Sequence, residues 1–99
     1  MKIVIDREKY IVKKDGEEIT LARIEFEILW LLCSVPGKVF SRAKIFEKVW
    51  VEKSLSKDRT VDVRFVNLRK KLGHELFRTI KGVGYKITLE KSDITIINS

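Results

Sequence analysis

DRTVDVRFVNLRKKLG, residues 58–73, carries the periodicity on which the reading of the whole chain turns. At 100° per residue, Val61, Phe65, Leu68 and Leu72 recur at i, i+4, i+7 and i+11 and form one apolar stripe. Gly73 follows as a stop signal, and Ser56 or Asp58 can cap the start. The opposite side presents Arg59, Thr60, Val63, Asn67 and Lys70, with Arg64 and Lys71 at one margin. Five basic residues (Arg59, Arg64, Arg69, Lys70, Lys71) stand against two acidic ones (Asp58, Asp62), a local net charge of +3. A helix that needed only solubility could carry Glu and Lys throughout. This one mixes an amide, a methyl-bearing side chain and guanidinium groups, the chemistries that read base edges. Asn pairs bidentately with adenine, Arg with guanine, and an apolar methyl rests on the thymine methyl. Such a face fits a major groove about 12 Å wide, with basic residues reaching phosphates on its walls.

Working outward, the chain opens with β-rich runs, KIVI and KYIVKK, and Asp15-Gly16 is a hairpin signal leading into EEITL. A small antiparallel sheet is expected over residues 1–21. From Ile24 to about Ser34, Glu25 and Glu27 are the only strongly polar positions, which predicts a helix buried on most sides and ended by Pro36 and Gly37. KVF is a short strand candidate. Ser41 is an N-cap for RAKIFEKVW, where Ile45, Phe46, Val49 and Trp50 share one stripe. After the polar connector VEKSLSK and the third helix, FRTIK and YKITL read as two strands joined at Gly82, Val83 and Gly84. The tail after Leu89 alternates enough to add a strand but can equally fray.

Ninety-nine residues suit one domain, expected over 1–99, with a three-helix core over 22–73, a hairpin over 76–89 and a tail over 90–99. At 44% hydrophobic residues the chain is of the ordinary globular class. Its longest apolar run, Ile28 to Cys33, is far too short for a bilayer, and no secretory signal opens the chain, so a cytoplasmic location is expected. Cys33 reads as a small buried hydrophobe rather than a reactive thiol. A formal charge of +7 favours a polyanionic partner.

The succession EFEILWLL, GKVFSRAKIFEKVW, DRTVDVRFVNLRKKLG and IKGVGYKI resembles the winged-helix effector domain of OmpR/PhoB-type response regulators, over roughly Ile3 to Ile87. The resemblance implies an α+β winged helix-turn-helix: an N-terminal antiparallel sheet, three helices and a C-terminal β-hairpin wing. It implies double-stranded DNA as partner, with a recognition helix of about Ser56 to Leu72 in the major groove and the wing in the minor groove. Arg59 and Thr60 would hold phosphates, Val63, Arg64 and Asn67 would face bases, and Arg69 and Lys71 would take phosphates, with Lys70 on the same front. Lys81 would sit at the wing tip. Trp50 would hold the second helix against the core and could also meet a phosphate. Two copies would lie on direct-repeat half-sites, weakly associating or monomeric when free, and the loop between the second and third helices could meet RNA polymerase. No cofactor, metal or membrane is implied.

Several positions depart from the family pattern. Arg64 stands where members commonly have histidine, Val66 and Asn67 where arginines are frequent, and Lys81 where arginine is frequent. The DNA sequence therefore cannot be borrowed from a relative. Lysine also lacks the planar guanidinium fork that suits a narrow groove. Ala22 replaces the usual capping threonine, which would cost the first helix about 1 kcal/mol unless Thr20 caps an earlier start. Val51 replaces the glycine that often follows VW. The receiver domain that members carry upstream is not in this sequence, so it reads either as an excised effector domain, the favoured alternative, or as a free-standing regulator.

Catalysis finds little support. His74, the only histidine, lies beside the helix-ending Gly73, and one Cys with one His cannot build a structural zinc site. The stronger rival is a protein-interaction module that contacts polymerase or another regulator, with Leu55 as an exposed apolar contact. Salt dependence separates the two, because neutralising about 4 to 6 phosphates gives a log–log slope near −4 to −5.

Overall fold

Apolar alternation around one tight turn shapes the first third of the chain. The computed structural model describes residues 1–50 and 59–98, with the backbone alone at Arg59 and Thr60. Strands β1 (Ile3–Asp6), β2 (Ile11–Lys14) and β3 (Glu17–Ile19) pair antiparallel. Asp15 and Gly16 both take positive φ, 51° and 88°, as the two-residue hairpin turn that matches strand twist requires. Ile3, Ile5 and Val12 point into the core and are buried, while Lys13, Glu17 and Glu18 are exposed.

The tail adds a fourth strand to this sheet. β6 (Ile94–Ile97) runs parallel to β1, with Ile3 opposite Ile94 and Ile5 opposite Ile96, giving the order β3-β2-β1-β6. Left unpaired, that edge of β1 would expose a row of backbone donors and acceptors. A short 3₁₀ turn at Lys91–Asp93 swings the chain into register, and Ile94 packs against the core.

Helix α1 (Arg23–Ser34) starts from Ala22, so Thr20 is not its cap. Half of a capping box nevertheless survives, because the Glu25 carboxylate accepts from the Ala22 backbone N–H at 3.0 Å. Helix α2 (Arg42–Val49) is capped as expected by Ser41, whose hydroxyl oxygen accepts from the Lys44 N–H at 3.0 Å. Helix α3 (Arg59–Leu72) buries Val61, Phe65, Leu68 and Leu72 completely. The expected caps Ser56 and Asp58 lie outside the described residues, as do Val51 and Leu55. All three helices and the inner faces of both sheets share one apolar core that includes Phe26, Leu29, Leu32, Ile45, Leu76 and Ile87.

The C-terminal hairpin pairs β4 (Phe77–Ile80) with β5 (Gly84–Ile87), Thr79 opposite Tyr85. KVF forms a single bridge rather than a strand: Phe40 and Tyr85 exchange backbone hydrogen bonds of 2.8 and 2.9 Å. The approach is so close that a Cβ on Gly84 would lie 2.0 Å from the Phe40 carbonyl oxygen, which is why glycine precedes the tyrosine. Gly84→Ala must therefore push the hairpin off Phe40. Denaturant unfolding should show a loss of about 1–3 kcal/mol, as for other overpacked sites, and an unchanged midpoint would contradict this packing.

Candidate nucleic-acid interface

With its apolar stripe buried, α3 turns its other side outward. Val63 and Val66 are 57% and 50% exposed, Lys70 is exposed and Asn67 is half-buried. Val63, Asn67 and Lys70 thus share the face the periodicity assigned them. Arg59 and Thr60 lie in the first turn of the same helix. Val66 joins this face although the sequence reading noted it only as a departure from the family.

The two margins of α3 are each tied down. On the wing side, Asp62 accepts a hydrogen bond from the Tyr85 hydroxyl and another from Arg42 Nε at 2.7 Å. The Tyr85 ring lies flat on Phe65, with centroids 3.8 Å apart and planes 4° from parallel. Arg42 and Arg69 flank that ring at 5.5 and 5.9 Å from its centroid. Arg69 Nη2 also donates to Thr79 Oγ1 of β4 at 2.8 Å, so this arginine reaches the wing before it reaches any ligand.

On the other margin, Lys71 Nζ donates to Glu25 Oε1 at 2.7 Å, and Arg64 Nη1 stands 3.9 Å from Glu25 Oε2. The Glu25 side chain is only 3% exposed, whereas Lys71 and Arg64 remain 39% and 32% exposed. Arg64 Nε is buried without a partner among the described residues.

The remaining expected residues lie apart from this face. Lys81 is exposed at the wing turn beside Gly82 and the exposed Val83. Trp50 is buried at the end of α2, stacked on Phe46 with centroids 5.2 Å apart, which fits its packing role. Sequence reading missed Glu25, Asp62, Arg42, Thr79 and Tyr85 as the groups that orient the interface. One signal was available: a carboxylate at position 25 of a helix buried on most sides needs cations nearby.

Electrostatics follow from these contacts. Burial pushes the Glu25 carboxyl up, but hydrogen bonds from Lys71 and the Ala22 N–H, with the Lys71 and Arg64 charges, outweigh it and hold the group below its ordinary range. Asp62 behaves alike: burial raises it, and the hydrogen bonds from Tyr85 and Arg42 lower it further than burial raises it. Burial pushes the Cys33 thiol up to about 12, as befits an inert core residue. Among the described residues no group of three or more His, Cys, Asp or Glu could hold a metal ion, and no helix is long and apolar enough to cross a membrane.

The family described as "Transcriptional regulatory protein, C terminal" matches residues 16–87. The chain belongs to this family. This effector domain is 38% identical over 89 residues to the phosphate regulon transcriptional regulatory protein PhoB of Rhizobium meliloti (strain 1021), covering 86% of the chain and 39% of that relative. It therefore spans well under half the length of that curated relative. Among solved structures, the DNA-binding domain of Bacillus subtilis CssR matches with a TM-score of 0.78 and 31% identity, covering 87% of this chain and 99% of that one. The DNA-binding domain of the response regulator AdeR, solved in complex with an intercistronic region, matches at 0.80 and 28% identity, covering 88% and 94%. The winged-helix fold and the OmpR/PhoB-type effector family are thus those the motifs implied.

The lowered carboxyls set a direction for pH. The folded chain binds fewer protons at Glu25 and Asp62 than the unfolded chain does, so their contribution is fully present above about pH 5. It is lost as pH falls through the lowered folded values. Thermal melts from pH 7 to pH 3 should show a Glu25→Gln/Asp62→Asn double variant that is less stable than wild type at pH 7 and loses less on acidification. An equal acid-induced loss in both proteins would mean other groups carry the effect.

Proposed function

We propose that this effector domain binds double-stranded DNA sequence-specifically, with α3 in the major groove and the β4–β5 wing against the adjacent minor groove. The observation that carries the reading is the outward face of α3, where Val63, Val66, Asn67 and Lys70 stand between two braced margins. Val63, Val66 and Asn67 read bases: the valine methyls meet thymine methyls and the amide pairs with a base edge. Lys70, with Arg59 and Thr60 at the helix start, holds phosphates, and Lys81 reaches the groove at the wing tip. Arg64, Arg69 and Lys71 border the same surface from positions held by protein partners. Trp50 acts by packing. The AdeR domain solved with an intercistronic region supports this use of the fold.

One module of this size covers only about 600–1,000 Å² of its own surface on DNA, so single copies bind weakly. Two copies on direct-repeat half-sites about one helical turn apart supply the missing affinity. The domain works in the cytoplasm, without catalysis or cofactor, as the output of a two-component-type transcriptional regulator, and the segment between α2 and α3 is where RNA polymerase would be met.

Selection from a randomised duplex pool at low and moderate salt tests the reading. A motif repeated at about one helical turn is expected. Asn67→Ala should then cost about 1–3 kcal/mol at one base position and relax specificity there. Retention without any enriched motif would instead reduce α3 to a phosphate-holding surface and favour the protein-interaction module.

A further inference from the structure

Glu25 is a buried carboxylate on α1 that belongs, by its contacts, to the front of α3. Its side chain is 3% exposed and receives three groups: the Ala22 N–H at 3.0 Å, Lys71 Nζ at 2.7 Å and Arg64 Nη1 at 3.9 Å. The first of these needs only an oxygen acceptor. The other two are cations that its negative charge holds more firmly than a neutral oxygen would. Both cations belong to the basic margin of α3 that the resemblance assigned to bases and phosphates. Neither is entombed, since Lys71 and Arg64 stay 39% and 32% exposed and remain within reach of an outside anion. Lys70, next along the helix, forms no ion pair among the described residues and points to solvent.

We propose that Glu25 is a positioning residue that limits the charge α3 offers to DNA: it engages Lys71 and Arg64 internally and so withholds two cations from DNA phosphates. This rests on the DNA-binding reading above, and it replaces the expectation that Lys71 simply takes a phosphate. Non-specific affinity comes from the number of phosphates neutralised, each adding about 0.9 to the salt slope on duplex DNA. A cation satisfied by an internal carboxylate contributes little to that sum. Discrimination is then left to Val63, Val66 and Asn67, which read bases rather than charge. Without the carboxylate, every duplex would gain the same extra grip, raising affinity for random and cognate DNA alike and leaving their ratio unchanged.

The test measures affinity for a random-sequence duplex across a salt series, for wild type, Glu25→Gln, Lys71→Met and the double variant. Glutamine keeps an oxygen for the Ala22 N–H, and thermal melts establish that each variant is folded. Glu25→Gln should steepen the log–log slope by about one to two and tighten random-DNA binding several-fold at low salt, leaving the ratio of selected-site to random affinity nearly unchanged. Adding Lys71→Met should remove about one of that gain. Lys71→Met alone should leave the wild-type slope nearly unchanged, a readout that holds whether or not the glutamine variant folds. An unchanged slope in folded Glu25→Gln, or a loss of about one in Lys71→Met alone, would overturn the proposal. Wild type without salt-dependent DNA binding would overturn the DNA reading itself, before any variant is compared.

Discussion

Tyr85 joins the hairpin to the third helix, and the rest of the interface depends on that junction. Its ring stacks on Phe65 at 3.8 Å, its hydroxyl donates to Asp62, and its backbone pairs with Phe40. One residue on β5 therefore fixes the wing against α3 and against the chain entering α2. Gly84 makes the junction possible by letting the Phe40 backbone come within reach. Arg42 then closes the circuit from α2 onto the same Asp62 oxygen. The wing and the helix face are thereby presented as one rigid surface rather than as two independent elements.

The polar contacts orient this surface more than they stabilise it. Four fully buried side chains, Val61, Phe65, Leu68 and Leu72, anchor α3, each contributing about 1.5–3 kcal/mol from burial. An aromatic stack adds about 0.5–1.5 kcal/mol beyond its area. Partly solvated ion pairs contribute less, because water screens them and ordering long side chains costs entropy. The margins of α3 nonetheless decide which charges face outward: Arg69 is drawn to the wing and Lys71 and Arg64 to α1, which leaves a front of two valines, an amide and a lysine. That front is poorer in charge and richer in shape than the helix composition suggests.

Local periodicity made the helix stripe legible, and all four stripe residues are completely buried. The Asp15-Gly16 turn and the Ser41 cap were legible for the same reason, since each acts within a few residues. Partners far apart in sequence were not. Glu25 and Lys71 are 46 residues apart and Arg42 and Asp62 are 20 apart, and no local pattern names such a pair. The tail illustrates the boundary: its alternation showed that a strand was possible, but only the unpaired edge of β1 determined that it pairs there and in parallel. KVF had strand-like residues yet makes a single bridge, because Gly84 admits its backbone at one point. Ala22 looked like a lost cap, but the carboxylate three residues on still holds its N–H.

If α3 and the wing act as one braced DNA-reading surface, both must respond to DNA together. Backbone amide chemical shifts of the labelled domain, followed by NMR during titration with a selected duplex, report on that coupling. The largest shifts are expected along α3 at Val63, Val66, Asn67 and Lys70 and at Lys81 to Val83 of the wing, moving together with one affinity. Shifts confined to the N-terminal sheet, or α3 and the wing titrating with separate affinities, would contradict it.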